Sequence, residues 1–285
     1  MILDGTIVAA AIREKIAKAL AHSEERPPGL AFVLVGDNPA SQSYIAMKKK
    51  SCREVGILSF DRELPATISQ ETLLQEISQL NKNSKIDGIL IQLPLPSHLS
   101  TPHVLEAVDP EKDVDGFHPL NIGKVSWGEE DTFAPCTPLG IVELLSYYKI
   151  ATEGRHIVIV GRSNIVGKPL ATLLLQKKKE ANATVTVAHS FSQRLPEITK
   201  SADILIAAMG KAEFIKETMV KEQAVVIDVG INRINGKIVG DVDFKQVARI
   251  ASAISPVPGG IGPMTIAMLL SNTFKSFMKK DARRV

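Results

Sequence analysis

The sequence predicts an α/β protein made of two α/β domains, the second a Rossmann-type parallel sheet, with a substrate cleft between them. Three observations predict it. The apolar run at residues 157–160 feeds Gly161-Arg162-Ser163-Asn164-Ile165-Val166-Gly167-Lys168-Pro169, after which Leu170, Leu173, Leu174 and Leu175 carry helical spacing. A strand, a small-residue turn and a helix in succession aim backbone N–H groups and a positive helix end at one point, which suits a phosphate. Strand patterns at 184–188, 203–207 and 224–229 then alternate with helical stretches, the signature of a parallel sheet with crossover helices. Finally, 285 residues can enclose two cores, and the turn comes late enough to leave a whole domain before it.

Each element follows in order. Residues 5–21 form an amphipathic helix with Ile7, Ala10, Ile12, Ile16, Ala19 and Leu20 on its apolar side, ended by Pro27-Pro28-Gly29. Residues 30–35 are a buried-type strand, Gly36-Asp37-Asn38-Pro39 a loop, and 40–55 a helix. Strands at 57–60 and 86–93 flank a helix at 71–80. Residues 109–136, rich in Pro, Gly and Asp, are a crossing between domains, and a helix at 138–148 leads into the second. Residues 231–239 form a hairpin around Asn235-Gly236. Pro256-Val257-Pro258-Gly259-Gly260 precedes a last helix at 264–279. The predicted domains are 1–137 and 138–263, with 264–285 packing back on the first.

Composition excludes several classes. A net charge of +3 over a chain that is 45% hydrophobic and 23% charged gives no nucleic-acid footprint. The runs Lys48-Lys49-Lys50 and Lys177-Lys178-Lys179 sit in helical patterns and are expected on solvated faces. No apolar stretch approaches the ~18 residues of a membrane span, and Met1-Ile2-Leu3-Asp4-Gly5 does not open like a signal peptide. Cys52 and Cys136 give neither a metal spacing nor a disulfide framework. A reduced, cytoplasmic chain without a metal is expected.

The glycine turn departs from G-x-G-x-x-G: Ser163 stands where the second glycine would, and Gly167 comes one residue late. The next strand ends Val187-Ala188-His189-Ser190, without the acid that would accept a ribose 2′-hydroxyl. Arg162, Ser190 and Arg194 suit a 2′-phosphate instead, which favours NADP over NAD; the other reading is that both arginines are solvated surface charges. Tyr44 and Lys48, four apart, share a helix face, as a reactive pair or as packing plus a surface lysine. Gln92 ends a strand before Leu93-Pro94-Leu95-Pro96, where open sheets bind ligands, or merely caps the loop. Asp113 and Asp115 would point oppositely if extended, and the residues alone do not say which faces a site. His118 and His189 have no partners at ligand spacing.

Seven segments in order, from Tyr44-Ile45-Ala46-Met47-Lys48 through Gln92–Pro96, Asp113-Val114-Asp115-Gly116-Phe117, Pro135-Cys136-Thr137-Pro138, the 161–169 turn and Asp228-Val229-Gly230-Ile231-Asn232 to residues 256–265, cover nearly the whole chain. Together they closely resemble the bifunctional methylenetetrahydrofolate dehydrogenase/methenyltetrahydrofolate cyclohydrolase family. The resemblance implies oxidation of 5,10-methylenetetrahydrofolate with NADP, then hydrolysis of the methenyl product to 10-formyltetrahydrofolate. It implies Lys48 as the base for hydrolysis, Gln92 as its hydrogen-bond partner, Asp115 as pterin anchor and Tyr44 stacking on the folate. Pro258, Gly259 and Gly260 would approach the substrate. Gly161, Arg162 and Ser163 would hold phosphates, with Ser190 and Ile231 at the adenosine and nicotinamide ends. A homodimer through the nucleotide domain is implied as well. Two other readings are a shikimate-dehydrogenase-like enzyme and an NADP-responsive binding protein.

Overall fold

A computed structural model describes residues 1–282, and the chain divides into two compact units. The first helix, α1 (Gly5–Ala21), begins in one unit and continues into the other; the unit that carries Lys48 comprises 10–124, 131–136 and the chain from Ile266 onward. It holds β1 (Gly29–Val35), α2 (Pro39–Val55), β2 (Leu58–Leu64), α3 (Gln70–Lys82), β3 (Gly88–Ile91), α4 (Thr101–Glu106) and most of α5 (Pro119–Trp127). Its sheet is parallel, in the order β2-β1-β3, and an isolated parallel bridge pairs Ile89 with Asp113. Every residue of β1 is buried, as expected of a central parallel strand covered on both faces. Side chains of β1 and β3 pack with Leu73, Ile77 and Leu80 of α3. Asp87 anchors the entry to this sheet: its carboxylate takes two 2.8 Å bonds from Arg26 and one of 2.9 Å from the Gly29 N–H.

The other unit comprises 1–9, 125–130 and 137–265. After α6 (Cys136–Tyr147) come β4 (His156–Val160), α7 (Gly167–Leu175), β5 (Thr184–Ala188), α8 (Leu195–Lys200), β6 (Ile204–Ala207), β7 (Val225–Asp228), the short strands β8 (Asn232–Ile234) and β9 (Lys237–Val239), α9 (Phe244–Val247) and β10 (Ala253–Ile254). The last helix, α10 (Ile261–Ala282), is divided between the units. The sheet is wholly parallel in the order β10-β7-β6-β4-β5. Counted along the chain, that is the 2-1-3-4-5 doubly wound arrangement, whose order reverses between β4 and β6. The hairpin is antiparallel, with Asn235 and Gly236 both at positive φ, the backbone that an Asn-Gly hairpin turn requires.

Two expectations need correction. Residues 109–136 are not only a connection, because Pro119 starts a nine-residue helix; the Pro and Gly that suggested a loop serve as its first residue and an interior one. The Lys177–Lys179 run is exposed, but α7 has already ended at Leu175.

Candidate active site

Asn38 starts α2 by accepting the Ala40 and Ser41 N–H groups through its side chain, which satisfies donors that a helix start leaves orphaned. The buried face of α2 then reads Ser41, Ile45, Lys48, Ser51, Cys52 and Val55. Lys48 thus occupies a core position of an amphipathic helix. It is 5% exposed, whereas Lys50 is exposed and Lys49 pairs with Asp61 at 2.7 Å. The solvated face expected of the lysine run therefore excludes its first member.

The buried amine is not left bare. Nζ of Lys48 donates to Gln92 Oε1 at 3.1 Å, and Gln92 Nε2 donates to the Leu93 carbonyl at 2.7 Å. With its nitrogen held by a carbonyl, the amide must present oxygen to the amine. Gln92 follows β3, its N–H bonded to Val33 O, so the partner is fixed to the sheet. Nζ also lies 4.6 Å from the Tyr44 ring centroid, a cation–π distance. Burial pushes the Lys48 ammonium below its usual range, and the Asp115 carboxylate opposes that shift. Desolvation prevails, which is what a lysine needs to accept a proton near neutrality.

The two aspartates separate cleanly. Asp113 accepts N–H bonds from Phe117 at 3.1 Å and His118 at 2.8 Å, plus the Asn121 amide at 2.8 Å; its carboxylate organises the approach to α5. Asp115 lies instead within electrostatic reach of Lys48 and beside the Cys136 thiol, and burial raises its carboxyl above the usual range. Cys136, fully buried, also donates to the Val114 carbonyl at 3.3 Å, a neighbour that no sequence spacing linked to Asp115. His118 is structural: Nδ1 accepts from the Leu120 N–H and Nε2 faces Glu106 O. His189 likewise accepts the Phe191 N–H.

In the other unit, Gly161 lies at the end of β4, at the point where strand order reverses. Its φ is +134°, and a Cβ there would stand 2.1 Å from Ala208 O, just beyond β6. A Cβ on Gly167 would stand 2.1 Å from Gly161 O. Both glycines are therefore demanded by backbone packing, and they draw the turn tightly onto the head of α7. There Ser163 Oγ accepts the N–H groups of Val166 at 3.1 Å and Gly167 at 3.4 Å, donors a phosphate oxygen could use. Arg162 lies 5.8 Å from the exposed Phe191 ring, and Ser190 beside it is exposed. Arg194 pairs with Glu197 at 3.3 Å. No acid occupies residues 186–192. These residues fit a dinucleotide carrying a 2′-phosphate.

Ile231, 62% exposed, follows the carboxyl end of β7. Two buried carboxylates support it. Asp228 accepts the Gly230, Asp241 and Val242 N–H groups; Asp241 accepts those of Met209 and Gly210 and the Asn232 amide. Asp228 opens one of the segments that carry the family resemblance, without a role of its own there, and Asp241 lies in none of them, although Gly240-Asp241-Val242-Asp243 after the hairpin offers a polar signal. Pro258 is exposed, and Gly259 O accepts the first N–H groups of α1, from Gly5 and Thr6. Gly260 is small for a local reason: a Cβ there would stand 2.5 Å from the Pro256 carbonyl oxygen. Among the described residues no group of three His, Cys, Asp or Glu could hold a metal ion, and no helix is long and apolar enough to cross a membrane.

A buried lysine held by an amide in one unit, and in the other a doubly wound sheet with a tight glycine turn at its switch point, are features of a dinucleotide-dependent α/β enzyme. Residues 3–115 match the family described as tetrahydrofolate dehydrogenase/cyclohydrolase, catalytic domain, and 135–281 match its NAD(P)-binding domain. The chain belongs to the tetrahydrofolate dehydrogenase/cyclohydrolase family, and it is a bifunctional dehydrogenase and cyclohydrolase of tetrahydrofolate. It is 53% identical to the bifunctional protein FolD of Chlamydia abortus, with 98% of this chain and 99% of that one covered. The crystal structure of the bifunctional FolD enzyme from Campylobacter jejuni superposes with a TM-score of 0.95 at 48% identity, covering 98% and 99% of the two chains. The Trypanosoma brucei enzyme, solved with NADP cofactor and inhibitor, gives 0.93 at 36% identity, covering 99% and 98%. The shikimate-dehydrogenase-like and binding-protein readings give way to this membership.

Proposed function

We propose that Lys48, Gln92, Tyr44 and Asp115 form the folate centre at which this enzyme converts 5,10-methylenetetrahydrofolate to 10-formyltetrahydrofolate by way of the methenyl cation. The buried Lys48 amine, hydrogen-bonded to Gln92 Oε1 and depressed by desolvation, carries the reading. NADP is the oxidant: when bound, its nicotinamide accepts the hydride that leaves the methylene carbon. No protein acid or base is needed at that carbon, so this chain contributes position. Tyr44 stacks on the folate, and Asp115 receives two parallel N–H bonds from the amino-pyrimidinone edge of the pterin.

Hydrolysis adds one water across the cation. Neutral Lys48 takes a proton as the water oxygen bonds to the methenyl carbon, and the resulting ammonium returns it to N5 as the carbon–N5 bond breaks. The formyl group stays on N10 and one proton leaves to solvent. A positive substrate beside Nζ further disfavours the ammonium form, so binding itself prepares the base. Gln92 holds the amine through both protonation states, since its oxygen accepts from either.

On the cofactor side, Gly161, Arg162 and Ser163 take the phosphates, Ser190 the 2′-phosphate and Ile231 the nicotinamide end. The Asp228 carboxylate holds the Ile231 segment through the Gly230 N–H, and the Asp241 carboxylate holds it through the Asn232 side-chain amide. Pro258, Gly259 and Gly260 contribute backbone to the substrate site. The domain division follows function: 1–137 with the last helix from 264 as the folate domain, 138–263 as the NADP domain. The protein acts in the cytoplasm, consistent with two free cysteines, and as a homodimer through the nucleotide-binding unit, where the outer strand β5 is only half-buried.

Replacing Lys48 with Met tests the centre. Cyclohydrolase activity, followed by loss of the methenyl absorbance, should fall at least ~100-fold, the usual contribution of a positioned base, while NADP reduction persists. Normal hydrolysis by Lys48→Met would remove Lys48 from the reaction.

A further inference from the structure

Asp115 is fastened by a residue far from it in sequence. The Asn272 side chain, on α10 and 4% exposed, donates from Nδ2 to the Val114 carbonyl at 2.8 Å and to the Ala134 carbonyl at 3.2 Å. A primary amide has two hydrogens, so one side chain serves both acceptors. The Val114 carbonyl belongs to the peptide unit whose nitrogen is Asp115's own. The Ala134 carbonyl lies two residues before Cys136, whose thiol flanks the Asp115 carboxyl and sits 3.7 Å from the same Nδ2. Beyond Asp115 the chain is equally confined. Gly116 has φ +76°, and a Cβ there would stand 2.5 Å from the Ala134 carbonyl carbon. Asp115 thus lies between a pinned carbonyl and a glycine pressed on the 134–136 segment, and Asn272 ties these two segments to each other.

We infer that Asn272 is a positioning residue for the reaction, setting where the Asp115 carboxylate meets the pterin by clamping Val114 and Ala134 together. The inference rests on the reading of Asp115 as pterin anchor. A neutral amide suits the place, because it supplies two donors without adding a charge beside Asp115 and Lys48. Serine has one donor and a shorter reach, and alanine has none; a misplaced anchor weakens its two parallel hydrogen bonds to the substrate but leaves the dinucleotide site untouched.

The test is a double-mutant cycle on steady-state kinetics with 5,10-methylenetetrahydrofolate and NADP, with circular dichroism melts of each protein. Asn272→Ala should raise the folate KM roughly three- to tenfold, the range set by one or two lost neutral hydrogen bonds, with the NADP KM unchanged. Asn272→Ser should fall between, and it provides the measurement should the alanine variant not fold. Adding Asn272→Ala to Asp115→Asn should raise KM no further, because the effect runs through the carboxylate. A purely structural Asn272 would lower the melting temperature at unchanged folate KM, or add its effect in full to that of Asp115→Asn; either overturns the inference. If Asp115→Asn itself leaves the folate KM unchanged, the anchor reading fails, and this inference with it.

Discussion

Lys48 Nζ and Gln92 Oε1 are 3.1 Å apart, each on a residue that is less than a tenth exposed. One is carried by α2 and the other by the end of β3, 44 residues later, so the pair exists only once the sheet is paired. A neutral acceptor beside the amine satisfies one of its donors without supplying the negative charge that would lock it as ammonium. The largest influence favouring the ammonium comes from Asp115, with smaller ones from Cys136 and Cys52, and burial outweighs them.

Replacing that neutral acceptor with a charged one should therefore shift the base. In Gln92→Glu a carboxylate would stand against Nζ and favour the protonated amine. Hydrolysis needs the neutral form, so its rate rises as pH climbs through the Lys48 pKa. The acid limb of the cyclohydrolase pH profile should move about one to three units to higher pH, the span of a close opposite charge. The dehydrogenase profile should not move with it. An unchanged limb in Gln92→Glu would mean that a different group governs hydrolysis.

Cofactor choice should respond to Ser190. Placing Asp there sets a carboxylate where a 2′-phosphate would bind and where a ribose 2′-hydroxyl could donate to it. The expected outcome is about tenfold weaker use of NADP, equivalent to the ~1.4 kcal/mol that repulsion at a solvated site supplies, with improved use of NAD. Kinetics with both dinucleotides give the ratio, and an unaltered ratio would remove Ser190 from recognition.

Asp228 predicts a pH-dependent stability. Burial raises its carboxyl from 3.8 to about 6, against three backbone N–H bonds that favour ionisation. The folded state thus holds its proton more tightly than the unfolded chain. The resulting stabilisation is complete below about pH 4 and is lost as pH rises through about 6. Two pKa units correspond to about 3 kcal/mol as an order of magnitude. Asp228→Asn should flatten this slope in urea denaturation between pH 4 and 7. It should also cost about 1–3 kcal/mol by turning an amide N–H toward the Val242 N–H. A slope unchanged by Asp228→Asn would assign the titration elsewhere.

The parts of the fold carried by local pattern were readable before any coordinates. The helix at 5–21 and the strand at 184–188 coincide in their bounds with α1 and β5, where breaking residues lie nearby. The helix face differs, however: Ile7, Ala10 and Ala19, expected on the apolar side, are exposed, and Val8, Ala9 and Ile16 are the buried ones. The family resemblance likewise singled out Lys48, Gln92 and Asp115, which the structure brings into one unit. What stayed hidden was tertiary. No spacing told Asp113 from Asp115, because the distinction lies in the N–H groups of Phe117 and His118 that turn back on Asp113. The run of three lysines concealed a buried one, although its 41-45-48-52-55 spacing placed it on the apolar face of α2. Cys136 and Asn272 could not be linked to Asp115 from sequence, since the chain returns to them only through packing. Pro and Gly within 109–136 suggested irregular chain, whereas Pro119 is suited to a first helical turn.

The Ser163 hydroxyl already spans two N–H groups at the head of α7. On the proposal that a dinucleotide phosphate binds at this turn, the arriving anion would exchange acceptors instead of filling bare donors, and its net gain would be the increment of a charged acceptor over a neutral one. On departure the hydroxyl would restore the cap, so that letting go of spent dinucleotide would leave no raw helix end behind. Under that proposal grip is moderated at the very atoms that provide it, a useful trait where the same carrier must be released at every cycle.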